Sequence, residues 1–373
     1  TGYATSWNPN FNSAVQTIAT SGNLIYCGGN FTTVNNGSFT RNRATCVDNV
    51  TGTATSWDPN FNNTVRTIAT SGNLIYIGGD FTTANNGSFI RYYTACVDNI
   101  SGTATFWNPN FSGPVFTLTT SGNLIYIGGD FTYLFKNFKD RNYAACVDNI
   151  TGTATSWNPN FNNYVNTIAT SGNLIYCGGG FTTVNNGTFN RKYAACVDNI
   201  SGTATAWDPN FNNSLNTIVT SGNLIYCGGN FTTVNNGSFT RNRAACVDNI
   251  SGTATSWNPN FNNYVFTIFP SGNNIYVGGG FTTVNNGTFN RNYAVCVDNV
   301  TGYANAWDPN FNSYVRVIIS FDNTIYVGGN FTTVNNNTIN KQYAAAVNPY
   351  TGVANSWNNT NIVLTVNDIS LLN

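Results

Sequence analysis

Tryptophan returns every 50 residues along this 373-residue chain, at Trp7, Trp57, Trp107, Trp157, Trp207, Trp257, Trp307 and Trp357. No copy gains or loses a residue between them. A strict period of this length marks a repeat architecture, in which each copy is one supersecondary unit that must stack on its neighbours to cover its apolar surface. It leaves no place for a domain boundary, so residues 1–373 are read as a single domain. A motif present in every copy cannot by itself be a unique active site.

Within each copy the elements are short. Residues 15–20, VQTIAT, and 24–32, LIYCGGNFT, are rich in β-branched and aromatic residues and flank the reversal Ser21-Gly22-Asn23, which predicts an antiparallel pair. A third strand is expected over about 42–47, after a loop at 33–41. A fourth, outer strand is YATSW at 3–7 and its equivalents, which in later copies follow the turn VDNITG. Proline at 9, 59, 109, 159, 209, 259 and 309 stops that strand. Gly28-Gly29 predicts a bulge or the close approach of a neighbouring backbone. The tryptophan is read as a wedge between sheets and the Phe11 column as a loop anchor.

Apolar residues on both faces of such a sheet, among them Val15, Ile18, Leu24, Ile25, Cys46 and Val47, require modules stacked face to face. Four short antiparallel strands in about 50 residues is the pattern of a propeller blade. The expected fold is therefore all-β, a single seven-bladed β-propeller of four-stranded antiparallel blades. The termini leave a surplus. Residues 3–7 can complete the last blade, which makes 351–357 redundant. The alternative is eight blades, the last incomplete and shared by both termini, with residues 359–373 as a C-terminal closure or assembly segment; a surplus strand could also be donated to another copy.

The recurring phrase GG(D/N)FT…NR.A..D..TG….W.PN resembles the delta-60-type β-propeller repeat and, more distantly, kelch blades, over residues 1–358. The resemblance implies architecture rather than activity, since such propellers serve in adhesion, scaffolding and enzyme domains. The copper oxidase chemistry of some kelch relatives would lack its histidine ligands in this chain.

Composition narrows the function. The chain has 14 basic and 14 acidic residues, no histidine, and aspartate as its only acid. Duplex nucleic acid, which demands concentrated positive charge, is not an expected partner. Without histidine or glutamate there is no obvious acid–base relay, and paired aspartates such as Asp130 and Asp140 are the only weak catalytic candidates. The chain is read as non-enzymatic, with no cofactor and no metal.

The nine cysteines fill two columns, Cys27, Cys177 and Cys227, and Cys46, Cys96, Cys146, Cys196, Cys246 and Cys296. In other copies these columns hold isoleucine, valine or alanine, as a small buried hydrophobe would be replaced. No run is long enough for a transmembrane segment and no signal peptide is visible. A chain that starts at Thr1 and contains no methionine is read as other than an intact translation product.

In a propeller the loops at 8–14 and 33–41 emerge at one end, which brings Asn12, Asn35 and Asn36 beside Phe39 and Arg41. Amides and aromatic faces suit sugars. The Arg41 column is expected to cap loop carbonyls and the Asp48 column to accept backbone donors in its turn. Asn36, Asn86, Asn186 and Asn236 lie in glycosylation sequons. One copy breaks the pattern: residues 132–140 read TYLFKNFKD and bring Tyr133, Phe135, Lys136, Phe138, Lys139 and Asp140 to one loop, the best candidate for an asymmetric contact.

The expected function is a surface structural, adhesion or assembly protein at an extracellular, cell-surface or virion-surface location. Its partners would be other copies of itself or another surface protein. A glycan-binding, lectin-like role is the alternative.

Overall fold

A computed structural model of the chain describes residues 7–136 and 138–353. These form seven copies of one β unit. In the first, β1 (Val15–Ser21), β2 (Leu24–Gly29) and β5 (Ala44–Asp48) make an antiparallel sheet in the order β1-β2-β5, and β3 (Thr33–Val34) pairs with β4 (Phe39–Thr40) as a separate ribbon. The same five strands recur in every unit.

The second strand, expected over 24–32, ends at Gly29, and the third, expected over about 42–47, runs Ala44–Asp48. Two larger features also differ from the sequence reading. The 33–41 segment, expected as a loop, is a hairpin ribbon, because Asn35, Asn36 and Gly37 accept positive φ (52°, 54° and 85°) and reverse the chain tightly. The expected fourth strand is one bridge, Val47 to Ala54, supported by Thr55 N–H donating to Cys46 O at 2.9 Å. It stops there because the Trp57 amide turns to Thr55 Oγ1 (3.2 Å) and the indole leaves the sheet plane. The blade is thus three strands, a bridged segment and a ribbon.

Leaving the sheet lets the tryptophan work between units. Trp57, buried, meets Tyr26 of the preceding sheet edge-on at 5.1 Å, and its Nε1–H donates to Asp98 O of the following unit at 2.8 Å. Tyr26, Ala44 and Cys46 from one unit and Phe61, Val65, Ile75 and Ile77 from the next share one core around it. The pairing repeats through Tyr276–Trp307, and at the seventh unit Tyr326 takes Trp7, again at 5.1 Å. There the Tyr326 hydroxyl donates to Asn49 O at 3.0 Å and the Lys341 ammonium to Trp7 O at 3.3 Å. Unit seven therefore meets unit one through the ring pair and the tyrosine hydroxyl bond that join the other neighbours, while the Trp7 Nε1–H, unlike its equivalents, has no partner among the described residues. The competing accounts of the surplus, an eighth blade or a segment at 359–373, lie outside the described residues.

Gly28-Gly29 serves two purposes. A Cβ on Gly28 would sit 2.4 Å from Val65 Cγ1 of the next unit, and one on Gly29 would sit 2.1 Å from Ala14 O of its own. The bulge falls on the partner strand: Val15 pairs with Gly29 and Thr17 with Gly28, so residue 16 is extra. All nine cysteines are free and buried, and burial pushes the thiols of Cys27, Cys177 and Cys227 well above their usual range.

The aspartate column caps its turn. Asp198 is pushed upward by burial, but the Ser201 hydroxyl and the amides of Ser201, Ile200 and Thr203 outweigh this and lower it to about 2. Its folded value lies below the unfolded one, so its stabilisation is complete above about pH 4 and fades as pH falls toward 2. Asp198→Asn should therefore be less stable than the parent at pH 6, with the gap closing in thermal melts between pH 4 and 2.

Candidate functional site

The extra residue created by each bulge points inward. Gln16, Arg66, Phe116, Asn166, Asn216, Phe266 and Arg316, one from each unit, line a single cavity of about 310 Å³. Bulges re-aim side chains in this way. Flanking positions 15, 17 and 18 hardly change from copy to copy, yet position 16 holds amides, arginines and phenylalanines. The cavity was missed in the sequence; its signal was a column that switches between amides, cations and rings among near-constant neighbours, whereas position 19, the other variable column of the strand, holds only threonine and apolar residues.

Three further variable columns surround it: 14, 30 and 43, counted in the first unit. The Arg66 guanidinium holds Asp80 with two bonds, Nε to Oδ1 at 2.7 Å and Nη2 to Oδ2 at 2.8 Å, and lies 5.2 Å from the Phe116 ring centre. Arg316 Nε donates to Asn330 Oδ1 at 3.0 Å, with its guanidinium 4.6 Å from Phe266 and 5.8 Å from Tyr314. Arg243 lies over Tyr264, and Tyr293 meets Tyr314 edge-on at 5.8 Å. Size is matched within the group. A Cβ at Gly180 would lie 2.5 Å from Tyr164 Cζ, so this tyrosine needs the glycine beside it. These columns form one mouth at the end of the unit that carries the 8–14 and 30–43 segments.

Most of the residues picked out by sequence are held by the protein. Asn35 Nδ2 donates to Gly52 O at 2.9 Å and its Oδ1 accepts from Ala54 N at 2.8 Å, which ties the ribbon to the bridged segment. Asn12 Oδ1 accepts from the amides of Thr32 and Thr33 at 2.8 and 3.0 Å. Arg41 donates to Thr40 O (2.9 Å) and Thr55 O (2.7 Å), lies 3.7 Å from Asp58, and covers half-buried Phe39 at 5.4 Å. Asn36 is exposed. Between units, clefts such as that lined by Asn42, Asn60, Asn62 and Asn86, about 390 Å³, repeat amides along the same face.

In unit three the ribbon diverges. Phe135 replaces the asparagine that elsewhere ties the ribbon down, and the Lys136 ammonium donates to Thr151 O instead. The turn sits farther from its neighbour: a Cβ on Gly152 would be 3.3 Å from Asn108 N, against 2.7 Å for Gly52 and Asn8 N. Tyr133 packs edge-on against Phe135 at 5.2 Å, and Phe138, at φ 53°, is 79% exposed. Tyr133 pairs with Asp140, and Leu134 with Lys139, whose side chains stand in solvent. Asp130 lies in the mouth column, apart from Asp140 on the ribbon.

Among the described residues there is no cluster of three or more metal-ligating side chains, and no helix is long and apolar enough to cross a membrane.

No family model matches the chain, and no curated protein matches it in sequence. Solved structures do match. The chain is similar to the WD40 β-propeller domain of Doa1, with TM-score 0.60 and 13% identity over 88% of this chain and 95% of that one. It is also similar to the computationally designed Ika8 protein, with TM-score 0.56 and 13% identity over 91% of this chain and 99% of that one. At such identity the likeness concerns fold alone: the chain has a repeated β-sheet fold resembling propeller-type folds.

Proposed function

We propose that this chain is a closed seven-bladed, kelch-related propeller that serves as a non-enzymatic interaction module in adhesion or assembly, at an extracellular, cell-surface or virion surface. The observation that carries this reading is where the repeat varies. Within the repeated frame, side chains change together at the four adjoining columns of the mouth and in the unit-three ribbon, besides scattered columns such as 19, 40 and 42. Phe135 gives up the amide tie, which the Lys136 bond to Thr151 O replaces in part, and leaves an aromatic pair and Phe138 toward solvent; breaks in a local rule are expected at functional or strained sites. The partner is another copy of the chain or another surface protein. The amide-lined clefts favour glycan binding as the second reading.

Phe135→Asn tests the first reading. It should restore the tie and raise stability by about 1 kcal/mol. Combined with Phe138→Ser, it should abolish the concentration-dependent rise in mass expected of the parent in analytical ultracentrifugation. A parent that stays at 40.3 kDa at every concentration would overturn self-assembly. A glycan array whose hits survive both changes would place sugars away from this ribbon.

A further inference from the structure

The ring of bulge residues is polarised. Going round, Phe266, Arg316, Gln16, Arg66 and Phe116 follow one another, and Asn166 and Asn216 stand opposite. The two arginines thus flank one glutamine, two phenyl rings separate them from the amides, and the amides face them across the cavity. Arg66 has Asp80 as its carboxylate partner, whereas Arg316, half-buried, has a neutral amide and two rings. Across the four columns of the mouth, four arginines (Arg43, Arg66, Arg243, Arg316) stand against two aspartates (Asp80, Asp130), an excess of positive charge in a chain whose formal net charge is zero. Burial, reinforced by the nearby Arg66 charge, lowers the Arg316 pKa despite an opposing contribution from Tyr314. An anion beside Arg316 would offset the unfavourable terms.

The opposite side offers acceptors. Asn166 and Asn216 each donate Nδ2–H to a backbone carbonyl of the following unit, Leu215 O and Val265 O, both at 3.0 Å. Their amide oxygens are therefore left to serve as acceptors. A ligand matching the ring carries a carboxylate at one end, hydrogen-bond donors at the other and an apolar face between, within about 310 Å³, the lower end of the range for small-molecule sites.

We propose that the axial cavity binds a carboxylated sugar, its carboxylate taken by Arg316 with Gln16 beside it, its hydroxyls by Asn166 and Asn216, and its ring face by Phe116 or Phe266. This deepens the glycan-binding reading and rests on it. Arg66, already held by Asp80, contributes field rather than a direct bond.

Isothermal titration of the full chain with D-glucuronate, N-acetylneuraminate, D-glucose and acetate tests it. Either or both acids should bind saturably and more weakly as salt rises, and glucose and acetate should bind at least about tenfold less well, each lacking one half of the match. Arg316→Gln should cost about tenfold or more in acid affinity, the loss of a charge-assisted bond, and Asn166→Leu a smaller factor; both variants should still melt in one cooperative transition, somewhat below the parent for the loss of the bonds to Asn330 and Leu215 O. Failure of both acids to bind, or acid binding unchanged in Arg316→Gln, overturns the proposal. Glucose bound as tightly as the acids and lost with Asn166→Leu would overturn the acid class alone and leave a glycan module standing.

Discussion

Gly79→Ala should be among the most damaging single-methyl changes available in this protein. The new Cβ would lie 2.2 Å from Thr64 O and 3.1 Å from Val65 Cα, backbone atoms at the bulge that cannot turn aside as a side chain would. Relief requires moving the bulge itself, which shifts the start of the strand on which Val65 packs between units. Overpacking of a filled core costs about 1–3 kcal/mol, and a clash with fixed backbone belongs at or above the top of that range. Gly72→Ala is the control: nothing lies within 4 Å of its Cβ, and its φ of +56° leaves only the cost of a left-handed conformation, about 1 kcal/mol. Denaturant midpoints of the two variants should separate clearly; equal losses would mean that space at Gly79 is not limiting.

The second large effect is expected at the tryptophan column. Trp207 is buried, edge-on to Tyr176 at 5.2 Å, and donates Nε1–H to Asp248 O at 2.9 Å. Trp207→Ala removes the largest side chain of an inter-unit core and leaves that carbonyl without its donor. The cost should be about 3–5 kcal/mol, and the m-value should hold steady if the units still unfold together. A loss below about 1 kcal/mol would place it among ordinary surface substitutions and remove the tryptophan from its role as wedge.

Much of the frame was legible because the period and the turn chemistry agree. Fixed spacing gave the seven units, and alternating apolar residues around Ser21-Gly22-Asn23 gave the inner hairpin, whose observed bounds extend the expected first strand by one residue and end the second at Gly29 rather than at 32. The ribbon at 33–41 was not legible as strands because its paired segments are two residues each, below what periodicity can register. The fourth strand was over-read: TATSW at 53–57 has the composition of a strand, but the tryptophan's contact with the next unit overrides local propensity.

The site was harder to read. Asn12, Asn35 and Arg41 are conspicuous in sequence because they repeat, and they repeat because each holds its own unit together. Gln16, Arg66 and Arg316 are inconspicuous for the opposite reason, since no two neighbouring units of that arc hold the same residue. Their convergence depends on a bulge and on the arrangement of the units, neither of which a single copy displays.

The cavity needs all seven bulges around it, and so needs unit seven to meet unit one. A double-mutant cycle across the seam tests this most directly. Trp7→Leu, Tyr326→Leu and their combination should show a coupling of about 0.5–1.5 kcal/mol, matching the same cycle at Trp207 and Tyr176 inside the array. A normal coupling at the interior pair with none between Trp7 and Tyr326 would contradict it.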